Sequence, residues 1–211
     1  MKRFIQWLVA IVICAIICWL FPLFHVVPLK TANAEKAAEK FDATAFAQNF
    51  WAGKLLPAAE KAVSTDVLLA AIQSNAAGAK TNYSRSVGLS DTYFYFLRGR
   101  GKVVSVSDDA VCIAVTENST NAEIALQTGL IFGDAIRDGT GLLNASDYPN
   151  SQDFNDISAA LNQIVETNVL TDLRKQARVG ATISFAGCAE VDDESSDLHP
   201  LKVIPIETKL E

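Results

Sequence analysis

The stretch TYFYFLRGRGKVVSVS, residues 92–107, alternates aromatic and β-branched residues and so predicts a long strand, with Gly99 and Gly101 marking a bulge or sharp bend. The turn Asp108-Asp109 leads into AVCIAVTE (110–117), where Val111, Ile113 and Val115 share one face. NSTN (118–121) turns the chain again into AEIALQTG (122–129). These three strands form a meander. The loop GLIFGDAIRDGTGLLNASDYPN (129–150) precedes SQDFNDISAALNQIVETNVLTDLRKQA (151–177), whose Phe154, Ile157, Leu161, Ile164 and Val165 make an apolar helical stripe. GATISFAGCAEV (180–191) and LKVIPIETKLE (201–211) are strands again, separated by the acidic loop DDESSDLHP (192–200). Pro205 marks an edge or bulged position in the last of them.

On the N-terminal side, Asp42 to Ala62 places Phe46, Phe50, Trp51, Leu55 and Ala58 at helical spacing, with Pro57 kinking or dividing the helix. Ser64 or Thr65 caps a second helix, Asp66 to Ser74, with Val67, Leu68, Ala71 and Ile72 on its apolar face. NAAGAKTNYSRSVGLSD (75–91) is rich in Gly, Ser and Asn and reads as a loop. The fold class is α+β: a helical layer, then strands in the order β-β-β-α-β-β. That order matches an OB-fold, a five-stranded Greek-key barrel with a helix between its third and fourth strands. An open α+β sheet is the alternative.

The 211 residues leave room for one domain plus a membrane segment. Phe4 to Phe24 has no charge and one polar side chain, Gln6, and it is long enough to cross a bilayer. Lys2 and Arg3 before it place the N-terminus inside, so the remainder lies across the membrane. The expectation is a single-pass inner-membrane protein with its soluble domain in the periplasm, divided as anchor or signal segment 1–30, helical region 31–90 and OB-like domain 91–211. Whether cleavage follows Ala34, in Ala32-Asn33-Ala34, is left open. Cys14 and Cys18 each follow an isoleucine, where a lipid-attachment motif wants a small residue. The sequons at Asn82, Asn118 and Asn144 matter only in a eukaryotic secretory pathway.

The net charge is −6, and without Lys2 and Arg3 the balance is 16 basic residues against 24 acidic ones. That balance opposes nucleic acid binding, and the acidic loops Ser107 to Asp109 and Asp192 to Pro200 oppose it further. His25 and His199 are the only histidines, and no Cys-x-x-Cys pair lies outside the apolar stretch, so neither a metal site nor a cofactor is expected.

HVVPL (25–29), FDATAFAQNFWAGKLLPAAEKA (41–62), YFYFLRGRGKVVSV (93–106), TGLIFGDAIRDG (128–139), FNDISAALNQ (154–163) and VGATISFAGCAEV (179–191) together resemble a bacterial family of predicted periplasmic lipoproteins of unknown function. The resemblance implies an envelope location, an N-terminal tether and company with sugar-importing ABC transporter components. It implies no established activity. The chain departs from the family at two places. Family members carry a lipid-attachment cysteine just before the segment matching HVVPL, where this chain has Phe24 and His25. They tend to carry an Arg where this chain has Phe132.

Arg137, Asp138 and Asp134 sit in the glycine-flanked loop before the last helix. An Arg-carboxylate pair there orders the loop, or Arg137 offers its planar fork to a ligand. Asn155 and Asp156 cap the following helix or bind a polar ligand. Trp51 falls in register with the core, and Tyr93, Phe94, Tyr95 and Phe96 divide between the barrel interior and the helical cover. Cys112 and Cys188 lie on strands that do not pair in an OB-fold, which predicts two free thiols. There is no nucleophile elbow, phosphate loop or triad, and Asp134 with Asp138 has no glycosidase spacing. The expected function is a non-enzymatic binding or accessory module linked to solute uptake, with a small polar ligand, an ABC transporter or another envelope protein as partner. The alternatives are an assembly partner of a membrane complex and, last, an envelope hydrolase.

Overall fold

The computed structural model describes residues 41–88, 90–116, 119–148 and 150–211, together with Phe4 and Trp7. The chain divides into two compact units, Met1–Phe41 and Asp42–Glu211, and the architecture that follows is that of the second. The expected anchor falls in the first unit, outside the described residues save Phe4 and Trp7, both helical. Among the described residues no helix is long and apolar enough to cross a membrane.

Asp42 accepts a hydrogen bond from the Ala45 amide and so starts α1 (Ala43–Phe50). The chain then widens into a π-helical turn, Trp51–Leu55, before α2 (Leu56–Ala59), which holds Pro57 in its first turn. A proline there has no amide to offer, and the wide turn just upstream takes up the mismatch. It also rotates the buried stripe, so that Phe50, Trp51 and Leu55 are followed inward by Ala59, not by Ala58 as the spacing suggests. Trp51 is therefore a core residue.

β1 (Val63–Ser64) leads into α3 (Thr65–Tyr83), which runs nine residues beyond the expected end at Ser74. Asn75 is non-helical, at φ −161° and ψ 93°, and its side chain accepts from the Gly78 amide at 3.1 Å. The asparagine ends one helix and caps the next, and the alanine-rich residues after it propagate that second half. Part of the expected loop is thus helix, and Ser84–Ser86 is a short strand, β2. Val67 is exposed, whereas Leu68 and Ile72 are buried.

The long strand is present as β3 (Tyr93–Val106). It pairs antiparallel with β6 (Thr182–Val191) along Tyr93–Lys102 on one edge. On its other edge it pairs with β2, β1 and then β4 (Ala110–Ala114). β4 pairs with β5 (Ile124–Gln127), β5 runs parallel to β7 (Leu201–Leu210), and β7 pairs with β6. The pairings therefore close a five-stranded ring in the order β3-β4-β5-β7-β6. β3 keeps a continuous register with β6 through both glycines expected to mark a bulge, and its register shift lies further on, against β4 between Val103 and Ser105. A Cβ on Gly101 would overlap the Ala114 carbonyl and Ile113, and one on Gly99 would overlap the Thr65 side chain, which donates to the Arg98 carbonyl at 2.8 Å. Pro205 lies at the register shift between β6 and β7.

Tyr93, Phe94, Tyr95 and Leu97 of β3 are buried, with the Tyr93 and Tyr95 rings edge to face. Between β5 and β6 the chain forms α4 (Ala135–Gly139), α5 (Ser151–Ile164), a π-helical turn at Val165–Leu170 and α6 (Thr171–Gln176). Phe154, Ile157, Leu161 and Val165 face the core, while Ile164 is half-buried. The acidic segment before β7 contains one turn of helix, α7 (Glu194–Asp197). Cys112 and Cys188 are free thiols on strands that are not neighbours in the ring.

Candidate functional site

α4 is a helix of one turn in the segment expected to be loop, and all five of its residues are buried. Arg137 on it is 5 % exposed and Asp138 6 %. The guanidinium lies 3.9 Å above the Phe154 ring. Its Nε and Nη2 donate to the two carboxylate oxygens of Asp138 at 2.8 and 2.9 Å. Nη2 also reaches Asp134 Oδ2 at 2.9 Å. Nη1 donates to Asn155 Oδ1 at 3.2 Å and to the Phe154 carbonyl at 3.4 Å. A guanidinium has five N–H donors, and here each has an acceptor.

The structure thus brings together all four residues singled out in the sequence, Arg137, Asp138, Asp134 and Asn155. It gives Arg137 the task of fastening α4 to α5 and leaves it no donor for a ligand. Burial pulls the guanidinium pKa down, but the bonds to Asp138 and the charge of Asp134 outweigh it and hold it above its ordinary value. Asn155 and Asp156 do not cap α5. Asn150 does, accepting from the Asp153 amide at 2.8 Å, which leaves Asn155 for Arg137 and Asp156 for Gln152.

The same helix braces the loop before α4. Ser158 donates to Asp134 at 2.7 Å and to the Gly133 carbonyl at 3.1 Å, and Asn162 donates to that carbonyl at 3.0 Å. Glu166 accepts from the Ile131 amide at 3.1 Å, and Arg174 donates to the Thr128 and Gly129 carbonyls. Ser158, Asn162 and Glu166 are spaced four apart, a polar line beside the apolar stripe of α5. That spacing was visible in the sequence, but only the fold shows what the line holds.

So braced, the loop points Ile131 inward and Leu130 and Phe132 outward, each 74 % exposed. A cleft of about 510 Å3 opens between this loop and α5, with Phe132 on one side and Asn155, Asn162, Gln163 and Glu166 on the other. Gly133, at φ 82°, lets the chain turn beside the Glu190 carboxylate, which a Cβ there would approach to 3.4 Å. Burial, with the negative charges of Asp192, Asp134 and Asp138, raises the Glu190 pKa. Among the described residues no group of His, Cys, Asp or Glu is arranged to hold a metal ion.

The family model of predicted periplasmic lipoproteins, DUF2291, matches residues 13–209. The chain belongs to that family. Its members are of unknown function, so membership gives a predicted periplasmic location and no chemistry. Among solved structures, this lipoprotein-family chain is similar to an OB-fold protein from Thermotoga maritima. The two are 25 % identical with a TM-score of 0.72, over 82 % of this chain and 100 % of that one. No curated protein matches the chain.

Proposed function

We propose that the chain is a non-enzymatic binding module in the service of solute uptake, tethered in the periplasm by residues 4–24 as a single-pass anchor. The ring of strand pairings and the Thermotoga maritima neighbour support reading the sheet as an OB-type barrel. The observation that carries the function is the braced loop: side chains from α5, the π-helical turn after it and α6 hold its backbone so that Phe132 stays exposed over a row of amides.

Amide side chains both donate and accept, which matches ligand hydroxyls, and an aromatic face covers the apolar side of a ring. The cleft therefore suits an uncharged polyhydroxylated ligand, and its volume falls within the roughly 300–1,000 Å3 of small-molecule pockets. Phe132, standing where family members tend to carry an arginine, does not offer an anion a partner.

Calorimetric titration of the full chain with neutral mono- and disaccharides tests this. Binding by at least one, weakened about tenfold or more by Phe132→Ser or Gln163→Ala, is expected; no binding across the panel contradicts the ligand class. A second reading, an assembly partner of an envelope complex, is favoured by the exposure of Leu130 and Phe132 together. A hydrolase built on Asp134 and Asp138 is disfavoured, because both carboxylates are paired to Arg137.

A further inference from the structure

A second concavity, of about 480 Å3, shares no residue with the cleft beside Phe132 and is built by the pairing register. Arg98 on β3 stands opposite Ala186 on β6, and Ala186 opposite Glu207 on β7. Two residues along, Arg100 stands opposite Ser184, and Ser184 opposite Lys209. The middle strand thus lays a floor of small side chains between two walls of long charged ones. Glu60, at the end of α2, and Ser64 also line it.

Arg100 is paired with Glu211. The side chains of Arg98, Lys209, Glu60 and Glu207 make no ion pair or hydrogen bond among the described residues. Walls two strand spacings apart are separated by about 10 Å, too far for opposite charges to meet unless both side chains fold over the floor. Two cations and two carboxylates therefore face one space without satisfying each other.

We propose that this trough binds a small zwitterion, a free amino acid or dipeptide. The carboxylate goes to Arg98 and Lys209, and the ammonium to Glu60 and Glu207. The guanidinium fork suits a carboxylate, and charge-assisted bonds are the stronger class. A simple anion would meet Glu207 as well as the cations, and a neutral sugar would leave all four charges without a counter-charge. Zwitterions are therefore favoured over both.

The test titrates the full chain in detergent with free amino acids and dipeptides, then with their N-acetylated and C-amidated forms. At least one free compound is expected to bind, and capping either end is expected to weaken it about tenfold or more, the scale of one charge-assisted bond. Arg98→Ala should reduce the penalty for C-amidation, with Lys209 still present, and Glu207→Gln should reduce that for N-acetylation. Both positions are exposed, and the capped series on the unaltered chain decides the matter even if a variant folds poorly. No binding across the panel, or binding indifferent to capping at both ends, overturns the proposal. Neither result bears on the saccharide cleft, which is a separate site.

Discussion

Arg137 shows what a sequence can and cannot reveal about one side chain. Its neighbour Asp138 is plain in the sequence, yet adjacent helical residues do not ordinarily face each other, and nothing local signals a bidentate pair. The pair forms because both residues are buried beneath α5, where an unpaired charge is costly. Removing Arg137 strands the Asp138 carboxylate, 6 % exposed, without its counter-ion. Arg137→Ala is expected to cost about 3–5 kcal/mol and to lower Tm by about 10 °C. Arg137→Lys should recover part of this, since a point charge cannot reproduce the fork. Thermal melts of the three proteins check both. The cysteines yield to a cruder argument, because they lie on strands that are not neighbours in the ring and remain free thiols. Burial pushes the Cys188 thiol pKa up, so alkylation of the native chain should label Cys112 first and Cys188 only on unfolding, as peptide mass spectrometry would show.

Elements were legible in proportion to how far their period was set by local sequence. β3, β4, β5, β6 and β7 announce themselves through alternation, whereas the register shift of β3 falls between Val103 and Ser105 and not at its glycines. A Cβ on Gly101 would overlap the Ala114 carbonyl and Ile113 on β4, so Gly101→Ala should destabilise by about 1–3 kcal/mol, measured by urea unfolding. The second half of α3 was hidden because Asn75 both breaks a helix and begins one. α4 was hidden because its five residues are shorter than any periodic signal, and its burial comes from tertiary packing.

α7 carries a pH prediction. Burial alone would raise the Asp197 pKa, but hydrogen bonds from the Asp193 and Asp192 amides, Lys202 and Ser196 bring it down to about 2, from an ordinary 3.8. A depressed carboxylate stabilises the fold above the ordinary value and loses that contribution as pH falls through the lowered one. The stability gap between the unaltered chain and Asp197→Asn should therefore be full at pH 5 and shrink towards pH 2. A gap independent of pH would contradict the role given to Asp197.

At the scale of the whole molecule, the order β-β-β-α-β-β carried the fold class, while the ring of pairings departs from sequence order by placing β7 between β5 and β6. The candidate site was only half legible. Its four sequence-selected residues fasten α4 to α5, while the exposed pair Leu130 and Phe132 was not legible as a surface, Phe132 standing out only as a departure from the family's arginine, because exposed apolar residues have no pattern of their own. The account rests on that surface being the working face. The most direct test is co-purification of the full chain from gently solubilised native membranes, compared with Phe132→Ser, a change at a 74 % exposed position that leaves the core intact. Transporter subunits recovered with the unaltered chain and lost with the variant are the predicted result; equal recovery with both, or no transporter subunit with either, would contradict it.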